Sequence, residues 1–232
     1  MGAREWFERF RWFVTSGGRL VIAGRDATQN EVIVRHYLRP WDVFVHADIP
    51  GAAAVVIRLA GPSDVASDDD VYEAAQYAVS YSRAWVMGLS VLDVFYVRGE
   101  QVTKKAPSGE YLGKGSFMIY GTRGGWVRNV ELGLGIGVRV DHLDDVSLLR
   151  LITAPPRVIG SLVNYYAVLR PGGSRDRVEL SKEIYNAFRA RVPGFVKVIN
   201  LSNVVDAVPG PSIIDGFYEG NPVPWDKIRE LK

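Results

Sequence analysis

Cysteine is absent from the 232 residues, which excludes a disulfide scaffold, a thiolate metal site and a cysteine nucleophile. Histidine is scarce. His36, His46 and His142 are too few and too scattered for an all-histidine metal cage. No uninterrupted apolar run approaches the ~20 residues of a membrane span. Arg4, Glu5, Glu8 and Arg9 put charge where a secretory signal needs its apolar stretch. Neither sign of charge dominates: 28 Lys+Arg face 26 Asp+Glu, so the total does not announce a polyanion partner. Together these absences imply a cytosolic protein with no membrane partner and no metal or other cofactor. Amides and methionine are also sparse, at 7 Asn, 3 Gln and 3 Met, which hints at a thermophilic source. The excess of Arg (21) over Lys (7) fits that hint and GC-rich coding equally well.

What is present is ordinary globular material. Hydrophobic residues are 47% and charged residues 23%, which excludes wholesale disorder. The length suits one large domain or two small ones at roughly 100–200 residues each. A strand is expected over 19–24, then a helix capped by Asp26 with Gln29 at capping-box spacing and ended by Pro40. Residues 42–48 read as a strand with Val43, Val45 and Ala47 on one face and Phe44, His46 and Asp48 on the other. After a Pro50-Gly51 turn, the apolar stretch 53–58 reads as a central strand. The longest helix should run from Asp68, capped by Ser67, to about Gly88. Its expected inner face is Val71, Ala74, Ala75, Ala78, Val79, Ser82 and Trp85.

Strands are expected at 91–97 and 115–120, separated by a polar loop over 98–114. Residues 132–138 alternate strictly, so Gly133, Gly135 and Gly137 share one strand face that a helix or a ligand should approach closely. Beyond 142–145 come strands at 148–152 and 162–169, a helix at 177–191, a strand at 195–199, a short helix near 202–208 and an irregular tail. The fold class implied is α+β: a largely antiparallel or mixed sheet with packed helices over residues 1–141, plus a smaller α+β unit over 146–232.

Two glycine motifs fail on spacing. Gly113-Lys114-Gly115-Ser116 lacks the phosphate-loop pattern, and the third glycine of 133–137 comes one residue too early for a dinucleotide fold. His46 and Asp48 could hold a metal or form a general-base pair, but a half-buried histidine satisfied by an acid is the simpler reading. The charge pattern says more. Residues 98–128 carry a net +4 and the first 25 residues +3, whereas 64–73 carry −5. Basic residues interleaved with Tyr111, Tyr120, Trp126 and glycines suit a surface that tracks phosphates and stacks bases. An ordinary solvated loop would show the same composition.

Three ordered segments then point further: 24–31 (GRDATQNE), 45–52 (VHADIPGA) and 103–112 (TKKAPSGEYL) leading into 115–119 (GSFMI). At these separations the chain resembles the RNA-binding (NFACT-R) domain of the NFACT family of ribosome-quality-control factors. Residues 154–156, 164–172 and 192–198 resemble, more loosely, the family's C-terminal (NFACT-C) domain. The chain departs from the family pattern at Pro50, usually His, and at Tyr120, usually basic. It has no counterpart of the family's large N-terminal domain or coiled-coil arms, so a separate polypeptide supplying them is an expected partner.

The resemblance implies binding of RNA, tRNA in particular, at the large ribosomal subunit when a nascent chain stalls. Bond-making would be left to the ribosome, and this chain would not be an enzyme. A partner in RNA modification and a protein–protein adaptor are the alternative readings. The candidate RNA-binding residues are Arg25, Asp26, Gln29, Asn30, His46 and Asp48, with Arg98, Lys104, Lys105, Ser108, Glu110, Tyr111, Lys114 and Arg123 from the basic stretch. Lys104, Lys105 and Lys114 are the expected phosphate contacts and Tyr111 the expected stacking residue. Arg25 either meets phosphate or pairs with Asp26 or Asp48. Asp26, Gln29 and Asn30 are expected to organise the helix cap, and His46 and Asp48 to fix loop geometry or read a 2′-hydroxyl.

Overall fold

A computed structural model describes residues 4–106, 108, 110–122, 124–143 and 146–231. A 3-10 turn, Trp6–Arg9, leads into β1 (Arg11–Val14) and β2 (Leu20–Ala23). Then come α1 (Ala27–Val32), prolonged by a π turn over Ile33–Tyr37, β3 (Val43–Ala47) and β4 (Val55–Ile57). Two helices, α2 (Asp68–Ser80) and α3 (Arg83–Val86), precede β5 (Val91–Arg98), the two-residue strands β6 (Val102–Thr103) and β7 (Met118–Ile119), and β8 (Gly125–Glu131). The remainder is β9 (Leu134–Leu143), β10 (Val146–Ala154), α4 (Pro156–Ile159), β11 (Tyr165–Pro171), α5 (Arg177–Arg191), α6 (Phe195–Val198), α7 (Leu201–Ala207), β12 (Ser212–Glu219) and α8 (Trp225–Arg229).

The strands form a six-stranded sheet in the order β1-β2-β4-β3-β5-β8, a four-stranded sheet β10-β9-β11-β12 and the β6-β7 ribbon. Every strand pair in them is antiparallel. The fold is α+β. By strand pairing, the division between the two large sheets falls between β8 and β9, because β9 pairs with β10 and β11. The expected 141/146 boundary lies between β9 and β10, which pair with each other in the second sheet.

β4 is buried at every position, as a two-faced apolar strand at a sheet centre must be. Helix α2 is capped by Ser67, whose hydroxyl accepts from Asp70 N–H in a full capping box. The helix is buried well beyond one stripe. It packs on β3, β4, β5 and β8, while Tyr77 reaches across to the Thr153 hydroxyl of β10 at 2.8 Å. Three of the five acids in the 64–73 run are spent inside the chain, while Asp68 and Asp69 stay exposed. Asp70 accepts from the Thr15 hydroxyl at 2.6 Å, Glu73 from the Ser16 amide and hydroxyl, and Asp64 pairs with Arg19. The expected single helix to Gly88 is interrupted at Ser80. The Ser82 hydroxyl bonds the Val79 carbonyl and caps Ala84 N–H, starting α3 afresh.

The bare glycine face receives a helix. A Cβ at Gly135 would lie 2.5 Å from Ile159 of α4, and one at Gly137 2.6 Å from Val163. Two expected strands are corrected. Within 195–199 the chain forms helix α6 (Phe195–Val198), with Phe195 and the capping Ile199 buried at helical spacing while Val196, Lys197 and Val198 are exposed. The strand expected at 115–120 shrinks to Met118–Ile119, since Gly115 sits at φ +78° and the chain before it is pinned as a loop.

Candidate nucleic-acid interface

The start of α1 is built as the sequence suggests, with one difference. The Asp26 carboxylate accepts from Gln29 N–H at 2.8 Å, but the Gln29 side chain reaches back one residue further, accepting from Arg25 N–H at 3.0 Å. Its amide nitrogen donates to the Arg9 carbonyl at 2.9 Å, which ties the helix start to the segment before β1. Asn30 is buried, and its Oδ1 accepts from Ala54 N–H at 3.0 Å, pinning α1 to the sheet. Gly24 is required beside it, because a Cβ there would meet Asn30 Oδ1 at 2.0 Å.

The basic loop is docked onto α1. Lys104, only 10% exposed, donates to the Gly113 carbonyl at 2.6 Å and the Ser116 carbonyl at 3.1 Å, and pairs with Glu31 at 2.9 Å. Gly115 N–H donates to the same Glu31 at 3.0 Å. Lys104 is thus the clamp of its own loop, and its charge is spent on Glu31 and two carbonyls. This revises its expected role as an exposed phosphate contact. The Lys104 hydrogen bond, followed by that from Gly115, holds the Glu31 carboxyl below its ordinary value of 4.5. A depressed carboxyl contributes to the docked state above 4.5 and loses that contribution as pH falls through the native value. The Gly115 amide resonance should therefore titrate below pH 4.5 with loop release, and Glu31→Gln should remove that titration.

Docking closes one wall of an open cleft of about 540 Å³. Arg25, Asp26, Asn30, His46, Asp48 and Lys114 all line it, so six of the expected residues, drawn from three separate segments, share one concavity. β3 ends at Ala47, one residue short of the expected 48, so Asp48 lines the cleft from just past the strand, and the His46 ring stacks on Phe44 at 6.0 Å. His46 Nδ1 lies 2.7 Å from the Ala47 carbonyl, which fixes the ring. The Arg25 guanidinium donates to the Phe10 carbonyl at 3.3 Å, and among the described residues no ion pair joins it to Asp26 or Asp48.

The other candidates lie elsewhere. Gln29 supports the cleft from behind. Arg98 faces Glu100 at 3.5 Å, at the end of β5 that pairs with Val43, whereas the cleft lies by the Ala47–Val94 end. Lys105, Ser108, Glu110 and Tyr111 are exposed along the docked loop, Tyr111 at 90%, and do not line the cleft. Arg123 lies outside the described residues. Arg11, Tyr81, Ser116 and Phe117 also line the cleft and were not singled out. Arg11 belongs to the basic first 25 residues, which was a usable signal; nothing in the α2 pattern marks Tyr81 as a surface residue. Among the described residues, no group of three or more His, Asp or Glu could hold a metal ion, and no helix is long and apolar enough to cross a membrane.

The family described as NFACT protein RNA binding domain matches residues 9–121, a span that contains all six cleft candidates. That segment, just under half of the chain, is what the chain shares with the NFACT family. An archaeal Rqc2 homolog, aRqcH, from Methanocaldococcus jannaschii is 38% identical to it over 186 residues, covering 80% of this chain and 26% of the relative. The ribosome quality control complex subunit NEMF homolog of Drosophila melanogaster is 48% identical over 118 residues, covering 51% of this chain and 12% of the relative. The human NEMF subunit is 44% identical over 118 residues, with 51% and 11% covered. The chain spans about a quarter of the archaeal relative and less of the animal ones. A solved structure of the C-terminal part of a fibronectin/fibrinogen-binding protein from Streptococcus suis overlaps 53% of this chain and 46% of its own at a TM-score of 0.43 and 19% identity.

Proposed function

We propose that this chain is a cytoplasmic, non-enzymatic RNA-binding module of ribosome quality control, engaging tRNA at the large ribosomal subunit when a nascent chain stalls. The observation that carries the reading is the convergence of Arg25 and Lys114 on one cleft within the RNA-binding segment. Both are exposed there, and Arg25 spends its side chain on a carbonyl alone. Lys105 and Tyr111 extend the same loop outward and offer a further cation and a stacking face. The relatives named for ribosome quality control supply the context in which such a module would work.

A salt titration of tRNA binding, read by fluorescence anisotropy, tests it. Arg25→Ala and Lys114→Ala should each flatten the slope of log K against log salt by roughly 0.7–0.9, and the double variant by about twice that. An unchanged affinity and slope in the double variant would remove the cleft from RNA binding. Co-sedimentation of the chain with large subunits, and its loss in the double variant, tests the ribosomal part.

A further inference from the structure

The cleft continues past Arg11, Arg25 and Tyr81. The same three residues line a second groove of about 250 Å³, which runs between β1 and the second unit, with Arg150 of β10 and Asn203 of α7 on its far side. Both signs of charge line this channel, Lys114 among them in the first cleft and Glu8 and Asp206 in the second groove. Asp26 and Asp48 stand within the first cleft, where aromatic rings form part of the lining: Phe44 lies edge-on to Phe117 at 6.0 Å and stacks with His46. At the neck stand two guanidinium groups that have no carboxylate partner among the described residues. Arg11 donates to the Asp206 carbonyl at 3.3 Å and lies over the Tyr81 ring at 3.9 Å, and Arg25 donates only to the Phe10 carbonyl.

Resting on the RNA-binding reading above, we propose that the first cleft seats one unpaired nucleobase, and that its ribose-phosphate chain leaves past Arg11 and Arg25 into the second groove. Asp26 and Asp48 accept hydrogen bonds from an exocyclic amino group, while Arg25 and Lys114 of the same lining stay available to the phosphates. Buried Asn30 supplies the complementary donor. Its Oδ1 is taken by Ala54 N–H, no acceptor among the described residues engages its amide nitrogen, and the residue is part of the cleft lining. A cleft of about 540 Å³ falls within the range of ligand sites, and its rings offer a base the faces it needs. The phosphates meet the two uncompensated cations at the neck. A base held in a duplex stack cannot enter, so the site selects unpaired nucleotides.

Binding of the whole chain to a short single-stranded RNA, to a matched blunt duplex and to the strand with one abasic position tests this, with 2-aminopurine in the strand as a stacking probe. The single strand should bind about ten-fold more tightly than the duplex, the abasic strand should lose most of that difference, and 2-aminopurine emission should be quenched. Ser116 is exposed at the cleft wall, so Ser116→Trp should fill the cleft, abolish the quenching and lower single-strand affinity by about ten-fold without altering duplex binding. Equal affinity for strand and duplex with unquenched 2-aminopurine overturns the base pocket while leaving RNA binding intact. Binding to neither RNA overturns both.

Discussion

Asp42→Ala should cost about 3–5 kcal/mol of folding stability, measured by urea denaturation followed through tryptophan fluorescence. Asp42 is fully buried and serves three donors: Leu59 N–H at 3.0 Å, Arg39 N–H at 2.9 Å and the Arg58 guanidinium at 3.4 Å. Arg58 is itself buried, donates also to the Tyr37 carbonyl and lies over the Trp6 ring at 5.3 Å. Burial pushes the guanidinium pKa down from its ordinary value, and Asp42 opposes that shift. The alanine variant would leave a buried cation with no counter-ion and two backbone amides with no acceptor, which is why the cost exceeds that of an ordinary lost hydrogen bond. Asp42→Leu combined with Arg58→Met should be milder than Asp42→Ala alone, because no charge is then stranded. A loss below about 1 kcal/mol for Asp42→Ala would show that the pair is solvated in practice.

The elements that were legible in the sequence are those with a strong local signal and a matching tertiary demand. The Ser67 cap, the Asp26 cap and the full extent of α5 were each readable from a capping residue and a periodic face. Strands β8 and β12 were hidden for opposite reasons. β8 carries Arg128 and exposed Asn129, the latter at φ +53°, opposite an irregularity in β5, so its pattern breaks where the register shifts. β12 contains Asp215-Gly216, a turn dipeptide by composition, yet it pairs along its length with β11 across a bulge. Residues 195–199 misled because β-branched residues alternate there as in a strand; only the burial of Phe195 and Ile199 reveals the helical spacing.

For the site, strand alternation and the capped helix were enough to bring Arg25, Asp26, His46 and Asp48 together. The role of Lys104 was not legible. Nothing local distinguishes a lysine that meets a phosphate from one that clamps Glu31, since the difference depends on where a distant loop lands. Neither was the second groove, which exists only because α6, α7 and β10 pack beside β1.

Beside that groove Arg150 ties β10 to the start of the chain, and Arg150→Ala should cost about 2–4 kcal/mol. Its Nε meets Glu8 at 2.7 Å, one guanidinium nitrogen meets Asp141 at 2.9 Å, and the group lies 3.6 Å over the ring of Trp225. One side chain thereby joins the turn before β1, the β9–β10 hairpin and α8. Asp141 keeps a second partner in Arg139 at 2.9 Å, whereas Glu8, whose side chain is 9% exposed, loses its counter-ion and among the described residues keeps only the Glu5 N–H at 2.6 Å. Arg150→Lys should recover little, because an ammonium cannot bridge two carboxylates and cover an indole with one planar group. A double-mutant cycle with Glu8→Gln separates the pair from the remaining contacts: a coupling above about 1 kcal/mol is expected for a pair this shielded, against about 0.2–1 kcal/mol for an exposed one. The same cycle read by RNA affinity should show Arg150→Ala as the weakest binder. It removes a cation from the second groove and leaves the Glu8 charge there without a counter-ion, and Glu8→Gln in the same chain should restore part of the loss.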